Sequence, residues 1–226
     1  MYLMMDQSLL EKDSVLILYH LNLQRKNNMN DIPLFPLKSI VLPGGLFPLR
    51  IFERRYLDMI KDCIKEEKGF CIALVRDNTN EEFITNIYNY ACYVEIIDWN
   101  QLEDGLLGIT VEGKNKVHIT NSSLNNSNLL VGNIEAIEAE KEFMIPQKYI
   151  ILSKFYRKIY PGIKNFISFK KERFADATWV GYRLVECLPL DASSKNKLIA
   201  SNDAIERLDK IYNIVNKIYK EEIKGL

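Results

Sequence analysis

Ile32-Pro-Leu-Phe-Pro-Leu-Lys-Ser-Ile-Val-Leu42, then Pro43-Gly44-Gly45, then Leu46-Phe-Pro-Leu-Arg-Ile-Phe52, reads as two extended apolar segments joined by a turn. Each Pro disfavours helix at the residue before it. Pro43 fixes φ, and the glycines permit the positive φ of a tight turn. Pro48 has no N–H for a ladder, so the second segment belongs at a sheet edge or a bulge. A helix follows, because Tyr56, Met59, Ile60, Cys63 and Ile64 recur at helical spacing and Gly69 ends the pattern. Phe70-Cys-Ile-Ala-Leu-Val75 is a short buried strand, and Arg76 to Glu82 is a polar loop.

Residues 91–137 read as a meander. Cys92–Ile97 and Leu106–Val111 are strands around the turn dipeptide Asp104-Gly105. Gly113-Lys114-Asn115 reads as a further turn, Lys116–Thr120 as a strand, Asn121–Asn128 as a polar loop and Leu129–Ile137 as a last strand. Short strands at this spacing indicate a barrel or a sandwich. Near residue 145 the pattern changes. Pro146 opens a helical stretch carrying Tyr149, Ile150, Leu152, Phe155, Tyr156 and Ile159, which Pro161-Gly162 should stop. Asp176 can cap the next helix through its side-chain oxygen. Ala177, Val180, Leu184, Cys187 and Leu188 form one face of that helix. Trp179, Tyr182, Arg183 and Glu186 form the opposite stripe, which another helix is expected to cover. A short helix around Ser194–Ala200 and a long one from Asp203 complete the chain. On the long helix Ile205, Leu208, Ile211, Tyr212, Val215, Ile218 and Tyr219 form the stripe. Strands first and helices second make an α+β protein, divided as a strand part over 29–144 and a helical part over 145–226.

Upstream, residues 22–31 are polar and linker-like, and Met29 stands just before the first strand signal, so residues 1–28 read as an extension outside the core. The apolar run Val15–Tyr19 is far shorter than the roughly 20 residues of a membrane helix. Asp6, Glu11 and Asp13 before it have the wrong charge for a signal peptide. The 226 residues include 30 basic and 30 acidic side chains, and this zero net charge argues against bulk nucleic-acid binding. Cys63, Cys71, Cys92 and Cys187 contain no CxxC pair and sit in apolar stretches, as buried thiols of a reducing cytoplasm do. With only His20 and His118 besides, no metal site is expected.

Gly44-Gly45 is followed by no Gly-Lys-Ser/Thr, so it is not a phosphate loop. No G-x-S-x-G, H-E-x-x-H or complete Ser-x-x-Lys set occurs, and the two histidines supply little base for a nucleophile. The sequence predicts no enzyme and no cofactor.

Ile32–Leu37, Leu42-Pro-Gly-Gly45, Pro48-Leu-Arg-Ile-Phe-Glu53 and Arg55-Tyr-Leu-Asp-Met59 together resemble the amino-terminal substrate-binding domain of Lon protease. Asp98-Trp99, Gln101-Leu102, Asp104–Gly113, Ala177–Leu184 and Leu188-Pro-Leu190 extend the resemblance over residues 31 to about 220. It is strongest to stand-alone bacterial Lon-domain proteins lacking the ATPase and protease domains. The resemblance implies a PUA-like β-barrel followed by an α-helical bundle. It also implies a non-catalytic module of protein quality control that binds unfolded or damaged polypeptides, with an ATP-dependent protease as a further partner. Two alternatives stay open: an RNA-binding PUA-like protein, disfavoured by the charge balance, and a small-molecule sensor using a barrel pocket. Arg54 departs from the family, where Pro is frequent, and together with Arg55 places positive charge at the positive end of the helix dipole. Asp58 should offset part of that cost through helical pairing.

The residues assigned to polypeptide binding are Arg50, Glu53, Arg54, Arg55, Tyr56 and Trp99. An edge strand at this corner could accept an extended peptide by strand addition, and its arginines would favour acidic peptides. The competing reading is that Arg50, Glu53 and Arg55 only fix the strand-to-helix corner, and that Trp99 packs over the end of the strands.

Overall fold

The computed structural model describes residues 28–76 and 86–220. Six strands form one mixed sheet: β1 (Asn28–Leu37), β2 (Leu46–Ile51), β3 (Phe70–Val75), β4 (Ile87–Gln101), β5 (Leu107–Leu124) and β6 (Leu130–Ala136). The order is β2-β5-β4-β3-β1-β6, and β5 pairs with β6 as well, so the pairings return on themselves. Only β1 and β3 run parallel. The helix α1 (Arg54–Lys65) lies between β2 and β3 in the chain. After a single 3₁₀ turn at Gln147–Tyr149 come α2 (Ile150–Ile163), α3 (Ala177–Cys187), α4 (Ala192–Ala200) and α5 (Ala204–Ile218). The protein is therefore α+β, with strands preceding most of the helices.

The expected edge position of the Pro48 strand is met. β2 pairs only with β5 inside the sheet, and Pro48 lies opposite Thr110. Leu46 is already engaged on its outer side, where it exchanges backbone hydrogen bonds with Ser168 (2.8 and 3.2 Å). Asp176 caps α3 by accepting from Thr178 N at 3.0 Å, and Asp203 caps α5 by accepting from Ile205 N and Glu206 N.

Several sequence expectations need correction. The polar stretch 22–31 is not all linker: its last four residues are strand, and Asn28 pairs with Glu135. The rest of the extension lies outside the described residues. Gly113-Lys114-Asn115 is not a turn. Tyr93 pairs with Asn115 and Val94 with Gly113, so Lys114 is an extra residue, and the supposed turn is a bulge within the continuous β5. The loop read at 121–128 is strand as far as Leu124, and Asn125 makes the turn by accepting from Ser127 N and Leu129 N. Pro161 does not stop α2. It stands in the last turn, and the helix runs two residues further to end at Ile163.

Three apolar clusters fill the interior. Tyr56, Met59, Ile60 and Cys63 of α1 pack on Leu49, Ile51, Ile72, Val94 and Val111 of the sheet. Leu34, Cys71, Ala91, Val117 and Ile134 form a second cluster between strands. The third belongs to α2–α5 and includes Ile40 and Leu42 from the β1–β2 connection. Cys63, Cys71 and Cys92 are buried, and burial pushes the Cys92 thiol up to about 12.

The Trp179–Tyr182–Arg183–Glu186 stripe is buried, as expected, and the polar heads of Arg183 and Glu186 are held by more than neighbouring helices. The Leu42–Gly45 turn holds them as well. Leu42 N donates to Glu186 Oε1 at 2.6 Å, and Arg183 Nη2 donates to Leu42 O, Pro43 O (3.1 Å each) and Glu186 Oε1 (2.9 Å). A Cβ on Gly45 would start 2.6 Å from Glu186 Oε1, which gives the Pro-Gly-Gly motif its reason. Burial pushes the Glu186 carboxyl up to about 7, against the pull of Arg183 and Leu42 N–H. A carboxyl raised in the folded state stabilises the fold below its unfolded pKa, near 4.5, and that contribution disappears as pH rises to about 7. Unfolding free energy should thus fall by about 2 kcal/mol from roughly pH 5 to pH 7. Glu186→Gln should flatten that slope in denaturant titrations across the range. An unchanged slope in the variant would assign the titration to another group.

Candidate functional site

The corner between β2 and α1 is set by its own charges. Glu53 is the N-cap of α1, yet its carboxylate caps no backbone N–H. It pairs instead with Arg55 Nη2 at 2.5 Å. Arg55 also donates to Asn128 O at 3.0 Å and lies 4.9 Å from the Tyr56 ring centroid. Tyr56 is buried with its ring 4.3 Å from that of Phe35, and burial raises its hydroxyl pKa. Glu53, Arg55 and Tyr56 therefore meet, and their contacts fix the turn. Arg54 is 86 % exposed and pairs with Asp58 at 2.9 Å, the helical pairing anticipated for it. Arg50, on the β2 edge, pairs with Asp104 in the β4–β5 turn. The three arginines are each neutralised by a carboxylate.

Trp99 lies elsewhere. In the paired rows of the sheet it stands opposite Ile109, which stands opposite Leu49, and directly paired residues share a face. That face is the one on which α1 packs. Arg50 belongs to the next row, with Gly108 and Asn100, and so to the opposite face. Trp99 reaches the α1 face through a second bulge. Ile96 pairs with Val111 and Asp98 with Thr110, leaving Ile97 as the extra residue, so Ile96 and Trp99 both face inward. At the same time β4 here runs past the end of α1. Gly69 N donates to the Tyr93 hydroxyl at 2.7 Å, clamping the α1–β3 turn beside Tyr93 and Val94, and a Cβ on Gly69 would lie 2.1 Å from Val94 O. Beyond that clamp nothing among the described residues covers the strand, and Trp99 is 61 % exposed. The expectation that Trp99 packs over the strand end is thereby overturned.

The result is a groove of about 320 Å³ between α1 and β4, lined by Ile64, Glu67, Lys68, Ile97, Asp98 and Trp99 among others. Ile64, Ile97 and Trp99 are exposed apolar side chains. The corner and the groove occupy opposite ends of α1, about 15 Å apart along its axis. The sequence-assigned residues thus form two places, not one. Ile64 belonged to an apolar stripe read as buried, and Ile97 to a strand read as regular. Only the bulge, which pattern does not reveal, brings them beside Trp99. A second cleft, of about 260 Å³, lies where β5 meets α3. Its Lys170 pairs with Glu112 and its Arg173 with Glu142, so much of its charge is internally satisfied. Among the described residues no group of three metal-ligating side chains occurs, and no helix is long and apolar enough to cross a membrane.

The fold is that of known domains. The crystal structure of a Lon N-terminal domain protein from Xanthomonas campestris superposes with a TM-score of 0.67 at 28 % identity, covering 82 % of this chain and 98 % of that one. The N-terminal domain of Mycobacterium avium complex Lon protease shares the fold with a TM-score of 0.54 at 16 % identity, covering 81 % and 96 %. In sequence, the chain is 23 % identical over 203 residues to a Lon protease of Endomicrobium trichonymphae, covering 84 % of this chain and 25 % of the relative. It is 25 % identical over 193 residues to the Lon protease of Buchnera aphidicola subsp. Schizaphis graminum, covering 79 % and 24 %. The chain spans about a quarter of the length of these curated relatives. A family profile matches residues 31–217, and on that match the chain belongs to the ATP-dependent protease La (LON) substrate-binding domain family.

Proposed function

We propose that this chain is a non-catalytic polypeptide-binding module that takes unfolded segments into the groove between α1 and β4. Family membership supports binding of protein substrates, and the single observation that carries the site is the exposed Trp99, turned onto the α1 face by the Ile97 bulge. Trp is enriched at binding hot spots because it buries a large rigid surface at little entropic cost. The returning strand pairings support a PUA-like barrel over residues 29–144, with the helices of 145–226 as its attached bundle. In this reading the module acts in cytoplasmic protein quality control of a bacterium, together with an ATP-dependent protease.

The test is a titration of a labelled, reduced, unfolded client against wild type, Trp99→Ala and Arg54→Ala. Trp99→Ala should weaken binding by about 1–2 kcal/mol, near tenfold. Its exposed side chain leaves stability within about 0.5 kcal/mol of wild type. Arg54→Ala, at the far end of α1, should cost less than about 0.5 kcal/mol in affinity, its charge being already paired. Full affinity in Trp99→Ala with a loss in Arg54→Ala would move the site to the corner.

A further inference from the structure

We infer that the groove selects apolar segments flanked by lysine or arginine, not by acidic residues; this rests on the groove being the polypeptide site. The cations that suggested a taste for acidic clients are spoken for: Arg50, Arg54 and Arg55 pair with Asp104, Asp58 and Glu53. The groove itself has the other sign. Glu67 and Asp98 are exposed on its rim, and neither has a cationic partner within ion-pair distance among the described residues. The rim's third carboxylate, Glu95, holds Lys114 at 3.1 Å, but Lys114 is shared with Glu112 at 2.8 Å. The one rim cation, Lys68, is held by Glu66 at 2.7 Å. Lys61 and Lys65 of α1 do not line the groove.

Carboxylates therefore predominate around an exposed indole. An indole face is the best aromatic partner for a cation, worth more as water is excluded. A client arginine or lysine can stack on Trp99 with Glu67 as its counter-charge and Asp98 adding to the negative rim, while an adjacent apolar side chain contacts Ile64 and Ile97. An acidic flank would meet like charge and an indole face that repels it. Rim charges of this kind act on partner choice and encounter more than on total affinity.

The experiment uses fluorescent peptides with one apolar centre and either Lys/Arg or Asp/Glu flanks, titrated against the full chain. The basic-flanked peptide should bind about fivefold tighter at low ionic strength. The ratio should shrink toward one when salt shortens the Debye length to a few ångströms. Glu67→Gln combined with Asp98→Asn should bring the ratio close to one without shifting the melting temperature. Trp99→Ala should weaken binding of both peptides. Equal affinities for the two flanks in wild type, or tighter binding of the acidic one, would overturn this inference while leaving the groove as the site. Failure of either peptide to bind, or binding indifferent to Trp99→Ala, would overturn the site itself.

Discussion

Glu140→Ala should lower stability by about 3–5 kcal/mol, because it would leave two buried cations without their counter-charge. Glu140 precedes the helical part, and its side chain is 3 % exposed. Its carboxylate accepts from Lys116 Nζ at 2.6 Å, from Arg207 Nη1 and Nη2 at 2.8 and 2.5 Å, and from the Tyr182 hydroxyl at 2.7 Å. Arg207 is wholly buried, and Lys116 nearly so. Both also donate to carbonyls at the C-terminal end of α4: Lys116 to Ile199 O and Ser201 O, Arg207 to Leu198 O and Ser201 O. These carbonyls hold the cations in place but do not cancel their charge. For a chain this size the loss corresponds to a drop in melting temperature of roughly 10 °C. Burial pushes the Glu140 carboxyl up, but Arg207 and Lys116 prevail and hold it below its ordinary value. A lowered carboxyl stabilises the fold above its unfolded pKa, near 4.5, and that stability is lost as pH falls further. The penalty of Glu140→Ala should accordingly shrink in acid. Adding Lys116→Met and Arg207→Leu should recover part of the loss, since the cost lies in unpaired charge. A penalty below about 1 kcal/mol near neutral pH would contradict this reading.

Gly113→Ala is expected to lower stability by about 2–4 kcal/mol. The new Cβ would lie 2.3 Å from Leu42 O and 2.8 Å from Leu42 C, both backbone atoms that no rotamer change can withdraw. The Leu42–Gly45 turn would have to back away. It is held there by Gly44 N to Gly113 O (2.8 Å) and Gly113 N to Gly45 O (2.9 Å), and Leu42 N is bonded to the buried Glu186. One methyl group therefore strains two backbone hydrogen bonds and the Arg183–Glu186 pair together. Gly162→Ala is the control: nothing lies within 4 Å of its Cβ, and its place in α2 predicts a change within about 0.5 kcal/mol or a slight gain. Denaturant titration of both variants decides it, and equal stabilities would disprove the proposed close approach.

The sequence made the elements legible wherever the pattern is local. Asp176 announced the cap of α3, Pro48 the edge of the sheet, and the stripes the helices that bury them. The turn expected at Gly113 and the unseen bulge at Ile97 share one limit. A bulge and a turn can draw on the same residues, and only the partner strand distinguishes them. Glu53, Arg55 and Tyr56 meet as near neighbours in sequence do, but sequence does not tell that Asp104 and Asn128, from two distant turns, occupy Arg50 and Arg55. The groove was least legible. Trp99 stands out in the sequence, but Ile64 and Glu67 lie beside it because the Ile97 bulge turns it onto the α1 face and the Gly69–Tyr93 contact fixes the end of α1.

Synthesis from the ribosome gives the Lys116–Glu140–Arg207 cluster a temporal meaning. Lys116 emerges first, its carboxylate partner 24 residues later, and Arg207 a further 67 residues after that. Until α5 has left the exit tunnel, the nascent strand part has a lysine and a glutamate at its surface that water still solvates. Dehydrating them becomes favourable only once the final helix docks. Docking of α5 thus decides when Lys116 and Glu140, far earlier in the chain, leave water, and the strand part and the helices close as one event.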